Sequence, residues 1–171
     1  MTEVLGGKNS DHHGDRGQQY VTFSLNDETY AVPASRVQEI IELGKITPVP
    51  HLPVFLKGVI NLRGIIVPVV DLKLKFGIDS PGYKKHTCVV VMEFSTGIAG
   101  LIVDAVSDVF HLPEQSIAKA PSLRTPIPVN FISGIGEAGH RLILLLDVDA
   151  VLSCEESSIL AGARGVSREL H

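Results

Sequence analysis

Phe55-Leu56-Lys57-Gly58-Val59 recurs in type as Phe131-Ile132-Ser133-Gly134-Ile135, and the register runs on without a gap from Val70-Asp71-Leu72 to Leu146-Asp147-Val148. The displacement is the same at both ends, 76 residues from 55 to 131 and from 71 to 147. A second match sets Val37-Gln38-Glu39-Ile40 against Val106-Ser107-Asp108-Val109, displaced by 69 from 37 to 106, and it extends back to Phe23 against Met92. The difference between the two displacements falls in proline-rich connections, around Pro48, Pro50 and Pro53 and around Pro113, Pro121, Pro126 and Pro128, where insertions are tolerated. A whole supersecondary unit therefore occurs twice, with the same strand order and the same strand-to-helix exit at an aspartate.

Outward from the repeat, the chain reads as short β segments with turn signals between them. Val21, Phe23 and Leu25 alternate against Tyr20, Thr22 and Ser24 as in a half-buried strand, Asn26-Asp27 supplies a turn, and Thr29 to Val32 returns as the second arm of a hairpin. After Pro33, Ser35 is placed to cap a short helical turn, with Val37, Ile40 and Ile41 as the apolar positions beyond it. Leu56 to Asn61 and Ile65 to Val70 read as two strands joined at Leu62-Arg63-Gly64, and Pro68 inside the second demands an edge or a bulge. Thr87 to Phe94, a turn at Thr96-Gly97, Ile98 to Val103 and Phe131 to Ile135 follow, and the unalternating run Leu142 to Leu146 predicts a strand covered on both faces. The expected fold class is all-β: two pseudo-repeated β-barrel lobes with short helical connections. Each lobe is near the size at which one core is marginal, so the two should pack together and leave a groove between them.

The expected boundaries are a disordered tail over residues 1–18, a domain of two intertwined β-barrel lobes over 19–153, and a C-terminal helix or tail over 154–171. The tail is set by Gly6, Gly7, Gly14 and Gly17 among polar side chains, and His12-His13 within it is too small a ligand set for a metal site. With 44% hydrophobic and 20% charged residues the rest is ordinary globular composition. A formal net charge of -4 without a dense Lys/Arg run argues against nucleic acid as a partner. Cys88 and Cys154 stand apart, as two thiols suited to a reducing cytoplasm. The N-terminus carries no signal-peptide pattern and no apolar run reaches spanning length, so no direct membrane insertion is expected.

Three features resemble catalytic machinery. Asp71 and Asp147 are repeat-related carboxylates, but Leu72-Lys73 and Val148-Asp149 follow them where an aspartic-protease turn would need Thr/Ser-Gly, and helix capping accounts for both. Gly134-Ile135-Gly136-Glu137-Ala138-Gly139 satisfies Gly-x-Gly-x-x-Gly, yet a strand follows it where a dinucleotide site needs a helix, so the glycines belong to a hairpin. His51, His86, His111 and His140 are scattered, with no Ser or Cys in a nucleophile-elbow setting. No catalytic residue, cofactor or metal ligand is assigned.

Leu56 through Leu72, read as Leu-Lys-Gly-Val-Ile-Asn-Leu-Arg-Gly-Ile-Ile-Val-Pro-Val-Val-Asp-Leu, resembles the hairpin of the bacterial chemotaxis coupling proteins, the CheW family. Tyr30-Ala31-Val32-Pro33 before Val37-Gln38-Glu39-Ile40-Ile41, the run Gly100 to Val109, and Phe131 to Gly136 agree with it, so that the resemblance covers about Tyr20 to Leu152. It implies two five-stranded SH3-like barrels. It also implies an adaptor that binds the cytoplasmic tips of methyl-accepting chemoreceptors and the regulatory domain of the histidine kinase CheA, cytoplasmic and held at membrane receptor arrays through those partners. Carried over residue by residue, the family's protein-binding positions fall on Val37, Glu39, Gly58, Asn61, Arg63, Gly64, Val106 and Val109. Val37, Val106 and Val109 have a competing reading as core or groove lining, and Gly58 and Gly64 as backbone requirements. Arg63 is expected to offer its guanidinium fork to a partner; the alternative is an internal pair with Glu39 that fixes the hairpin. The competing function is an SH3-like double barrel that binds a small ligand or another protein in the inter-lobe groove.

Overall fold

The first chain half lays down β1 (Gln18–Leu25), β2 (Glu28–Pro33), a 3-10 turn at Ala34–Arg36, β3 (Val37–Glu42), β4 (Leu56–Leu62), β5 (Ile65–Asp71) and helix α1 (Leu72–Phe76). The second half repeats the order with β6 (Cys88–Phe94), β7 (Gly97–Val103), β8 (Ala105–Leu112), β9 (Ile117–Ala118), β10 (Ile132–Ala138), β11 (Arg141–Leu146) and helix α2 (Val148–Val151). The computed structural model describes residues 17–80, 82–95, 97–119 and 127–152. The expected C-terminal helix or tail, His12, His13, Cys154, Thr96, Pro121 and Pro126 lie outside the described residues, as does the expected tail save Gly17 and Gln18.

The repeat extends to backbone detail. Strand β4 is bulged between Leu56 and Gly58, and β10 between Ile132 and Gly134, at the same displacement as the sequence match. The Asp71 amide donates to the Phe55 carbonyl at 2.7 Å and the Asp147 amide to the Phe131 carbonyl at 2.9 Å. Both aspartates then cap the helices they precede: Asp71 Oδ1 accepts the amides of Lys73 and Leu74, and Asp147 Oδ1 that of Ala150. Ser35 does not cap: it lies inside the 3-10 turn, which is entered at Pro33 with no side-chain cap.

The two halves do not each form a lobe. One sheet has the order β3-β6-β7-β5-β4 and the other β8-β1-β2-β11-β10-β9, so each lobe takes its hairpin from one half and its remaining strands from the other. The orders correspond strand for strand, apart from β9. That two-residue strand pairs Ala118 with Ile135, and its counterpart in the first lobe is the single bridge from Thr47 to Val59. The halves are joined within each lobe by a parallel pairing, β5 with β7 and β11 with β2.

Three apolar clusters follow from this exchange. One, with Ile60, Val67, Val69, Val89, Val91 and Ile102, fills the first lobe, and another, with Tyr20, Ala31, Leu112, Ile143 and Leu145, fills the second. The largest cluster draws on both sheets, with Phe23, Tyr30, Val90, Met92, Leu101, Leu144 and Leu146 among its members. It occupies the place where the sequence predicted a groove. Strand β1 is accordingly not half-buried: Tyr20 and Thr22 face into the second lobe while Val21, Phe23 and Leu25 face the shared core, and all five are buried. Ile143 to Leu146 are covered on both faces as expected, but Leu142 at the head of β11 is 66% exposed.

Pro68 is accommodated by a division of labour. Val59, its partner on β4, exchanges its amide and carbonyl with Thr47 at 2.9 and 2.8 Å, so the Val59-Pro68 pair needs no ladder hydrogen bond. The pairing of β5 with β7 begins only at Val69, one residue beyond the proline.

Candidate functional site

Six of the eight predicted positions gather in the first lobe, around the β4–β5 hairpin and β3. Leu62 pairs with Ile65, which leaves Arg63 (φ 51) and Gly64 (φ 88) as a two-residue turn with both φ angles positive, the kind whose twist matches the flanking strands. Asn61 tightens it by accepting the Gly64 amide on Oδ1 at 2.8 Å. The positive φ points Arg63 back over the barrel toward β3, where Nη1 donates to Glu39 Oε2 at 2.9 Å and Nη2 donates to Oε1. The internal pair weighed as the alternative reading is therefore formed in the free chain. It is open to solvent, with the arginine side chain 70% and the glutamate 27% exposed. The hydrogen bonds from Arg63 hold the Glu39 carboxyl below its usual range.

Gly58 lies beneath this hairpin and is buried. Its φ of +142 and the bulge beside it are forms that only glycine adopts easily, and a Cβ there would stand 2.2 Å from the Thr47 carbonyl oxygen. The residue lets the chain after β3 close onto β4, and so shapes the surface without presenting a side chain to it.

Strand β3 is the edge of its sheet and carries a bulge between Val37 and Glu39. The extra residue puts Val37, opposite Met92, and Ile40, opposite Val90, on the face that looks toward the shared core, with Glu39 and Ile41 on the other. Val37 reaches the core and is partly buried; Ile40, farther along the edge, runs past it and is 42% exposed. Strand β8 repeats the arrangement in the second lobe. Its bulge sets Val106 opposite Phe23 and Val109 opposite Val21, Val106 packs on the shared core, and Val109 is 58% exposed. The buried hydroxyl of Thr22 fills the bulge by accepting the Asp108 amide and donating to the Asp108 carbonyl, both at 3.1 Å. Val106 and Val109 therefore form the counterpart of the Val37-Ile40 edge on the other lobe, and the eight positions fall in two separate groups, with Gly58 buried beneath the first.

Two exposed apolar residues escaped the sequence reading. The sequence shows Ile40 only as an apolar position after the 3-10 turn, and Ile65, 55% exposed directly after the hairpin turn, only as the first residue of an apolar strand. The spacing of three from Val37 to Ile40 was the available signal, since in a strand it requires a bulge.

Two open clefts mark the rim between the lobes. One of about 520 Å³ is lined by Arg36, Glu93, Phe94, Ile98 and Asp149, and one of about 500 Å³ by Asn26, Lys73, Lys84, Thr87 and Asp104. Among the described residues no three His, Cys, Asp or Glu side chains are grouped to hold a metal ion, and no helix is long and apolar enough to cross a membrane.

Comparison with known proteins adds a lineage to this geometry. The family model of the CheW-like domain matches residues 19–156. The chain is 37% identical over 144 residues to the chemotaxis protein CheW of Klebsiella aerogenes, covering 84% of this chain and 87% of that protein. It is 30% identical to the chemotaxis protein CheW of Rhizobium meliloti, with 85% and 94% covered. The crystal structure of the scaffolding protein TtCheW from Thermoanaerobacter tengcongensis superposes with a TM-score of 0.76 at 36% identity, over 82% of this chain and 95% of that one. The two sheets are accordingly two SH3-like β-barrel lobes.

Proposed function

The chain belongs to the CheW-like domain family, and on that footing we propose that it is a non-catalytic chemotaxis adaptor that couples chemoreceptor tips to the regulatory domain of the histidine kinase CheA. It works in the cytoplasm and reaches receptor arrays through those partners. Val37, Glu39, Asn61, Arg63 and Gly64, with Ile40 and Ile65 beside them, form one docking surface, shaped from below by Gly58. Val106 and Val109 form another on the second lobe.

What supports this reading is the pair of edge strands. Each lobe ends in a bulged strand with one apolar residue seated in the shared core and one left in solvent, Val37 with Ile40 and Val106 with Val109. Exposed apolar side chains flanking an arginine are the composition of protein docking sites. A scaffold needs two such surfaces held in a fixed relation, and the shared core between the lobes supplies that rigidity. A ligand seated in an inter-lobe groove has less support, because that space is filled by side chains.

The test is reconstitution of receptor-controlled kinase activity with the purified chain. Val109→Asp and Ile65→Asp should each weaken one partner by roughly ten-fold or more while leaving the melting temperature within a few degrees. Parent-like binding of both partners by both variants would reject these surfaces.

A further inference from the structure

Each docking strand begins where the chain crosses from one lobe to the other, and each crossing is held by an ion pair to a helix. Between β2 and β3, Arg36 Nε donates to the Glu93 carbonyl of the first lobe at 2.9 Å, and Nη2 to Asp149 of α2, in the second lobe, at 3.0 Å. Between β7 and β8, Asp104 Oδ1 takes Lys73 Nζ of α1, in the first lobe, at 2.7 Å, and Oδ2 accepts the Asn26 amide of the β1–β2 turn, in the second lobe, at 2.7 Å. Lys73 and Asp149 are equivalent under the displacement of 76 that relates the helices, and Arg36 and Asp104 stand within one residue of equivalence under the displacement of 69. The polarity is reversed: one crossing carries the cation and its helix the anion, the other the opposite.

We propose that Arg36 with Asp149, and Asp104 with Lys73, are positioning clamps, each fixing the start of one docking strand. The inference rests on the docking reading above. The geometry that points to it is the location of both pairs. Arg36 directly precedes Val37, and Asp104 stands two residues before Val106, so each clamp holds the bulge that decides which apolar side chain is presented. The two differ in strength. Lys73 and Asp104 are 6% and 29% exposed, against 30% and 67% for Arg36 and Asp149, so salt screens the Arg36-Asp149 clamp far more than the Lys73-Asp104 clamp. Strand β3 is therefore the adjustable docking edge and β8 the fixed one. The opposite polarity of the other crossing makes reversal of the Arg36-Asp149 pair the control for a test.

The experiment is hydrogen exchange of the full chain, read on the amides of Val37–Glu42 and Ala105–Leu112, beside binding titrations with the receptor tip and with the kinase regulatory domain. The variants are Arg36→Ala, Asp149→Ala and the reversal Arg36→Asp with Asp149→Arg. Either alanine variant should speed exchange across β3 about two- to five-fold, the scale of one partly exposed pair, leave β8 unchanged, and weaken whichever partner docks on β3. The reversal re-forms the pair but not the hydrogen bond to the Glu93 carbonyl, so it should restore most of what Asp149→Ala loses and only part of what Arg36→Ala loses. Unchanged exchange in β3, or equal acceleration in β3 and β8, overturns the clamp. Exchange that responds and is restored while both partners bind at parent strength overturns the link to docking, and separates that failure from a chain that binds neither partner at all.

Discussion

At Arg63, Glu39 and Tyr30 the decisive facts are polar atoms and their partners. The Glu39 carboxyl titrates below its ordinary value of 4.5 because Arg63 hydrogen-bonds it. A depressed carboxylate contributes stability that is fully present above its unfolded pKa and is lost as pH falls through its lower native one. The hairpin clamp should therefore hold at neutral pH and loosen in the acid range below 4.5, and Glu39→Gln should abolish that step in a pH series of Gly64 amide exchange. An acid step that persists in Glu39→Gln would assign it to another carboxylate. Tyr30 sits at 0% exposure with a hydroxyl that finds no hydrogen-bond partner among the described residues. Burial pushes its pKa up to about 12, so the folded state keeps its full stability below the ordinary value of 10.0 and loses stability as pH rises from there toward 12. Tyr30→Phe removes an unsatisfied group at almost no change in shape, and should raise stability by about 1 kcal/mol in urea unfolding. A loss of that size would show that the hydroxyl is bonded after all. At this scale the sequence was legible in part. The pairing of Arg63 with Glu39 was open to the sequence as an alternative, but a turn with φ positive at an arginine is not visible in residue types alone.

Bulges and caps decide what the strands and helices present. Gly58 and Gly134 are equivalent bulge residues under different constraints. A Cβ at Gly58 meets the Thr47 carbonyl oxygen at 2.2 Å with φ +142, whereas at Gly134 it meets the Ile117 Cγ2 at 2.8 Å and the Ala118 oxygen at 3.0 Å, with no positive φ to strain it. Gly58→Ala should cost about 2–4 kcal/mol and Gly134→Ala about 1–2 kcal/mol, measured by chemical denaturation. Equal costs would mean that the strained backbone at Gly58 is not what its bulge depends on. The caps are also unequal. Asp71 is 2% exposed and accepts the Tyr83 hydroxyl at 2.9 Å as well as two amides, while Asp147 accepts a single amide from α2. Asp71→Ala should therefore cost about 2–3 kcal/mol against about 1 kcal/mol for Asp147→Ala. The repeat showed both aspartates as caps, since strand-Asp-helix is a local pattern. It could not show the strap from Tyr83, which depends on where a loop folds back.

The duplication was legible for the molecule as a whole because both halves keep the same apolar register, and with it came the all-β class and the two lobes. That the lobes are intertwined was expected, but which hairpin each half gives to the other was not legible. A β1–β2 hairpin that pairs with its own half and one that pairs with the other half need the same alternation and the same turns. What separates them is the parallel pairing of β5 with β7 and of β11 with β2, which the periodicity of the residues does not encode. The same exchange explains why the expected groove is a core: strands shared between lobes bury both of their faces. The lobes should accordingly unfold together, in one transition at one midpoint, because neither contains a complete half of the chain. Two separable transitions would contradict a shared core. On the proposed function, this pair of lobes holds a kinase and a receptor at once on separate edges. The direct measurement is a titration of the full chain with the kinase regulatory domain in the presence and absence of saturating receptor tip. A ternary complex is expected, with kinase binding unimpaired by receptor and with Val109→Asp and Ile65→Asp weakening different partners. Strict competition between the two, or no binding of either, would contradict it.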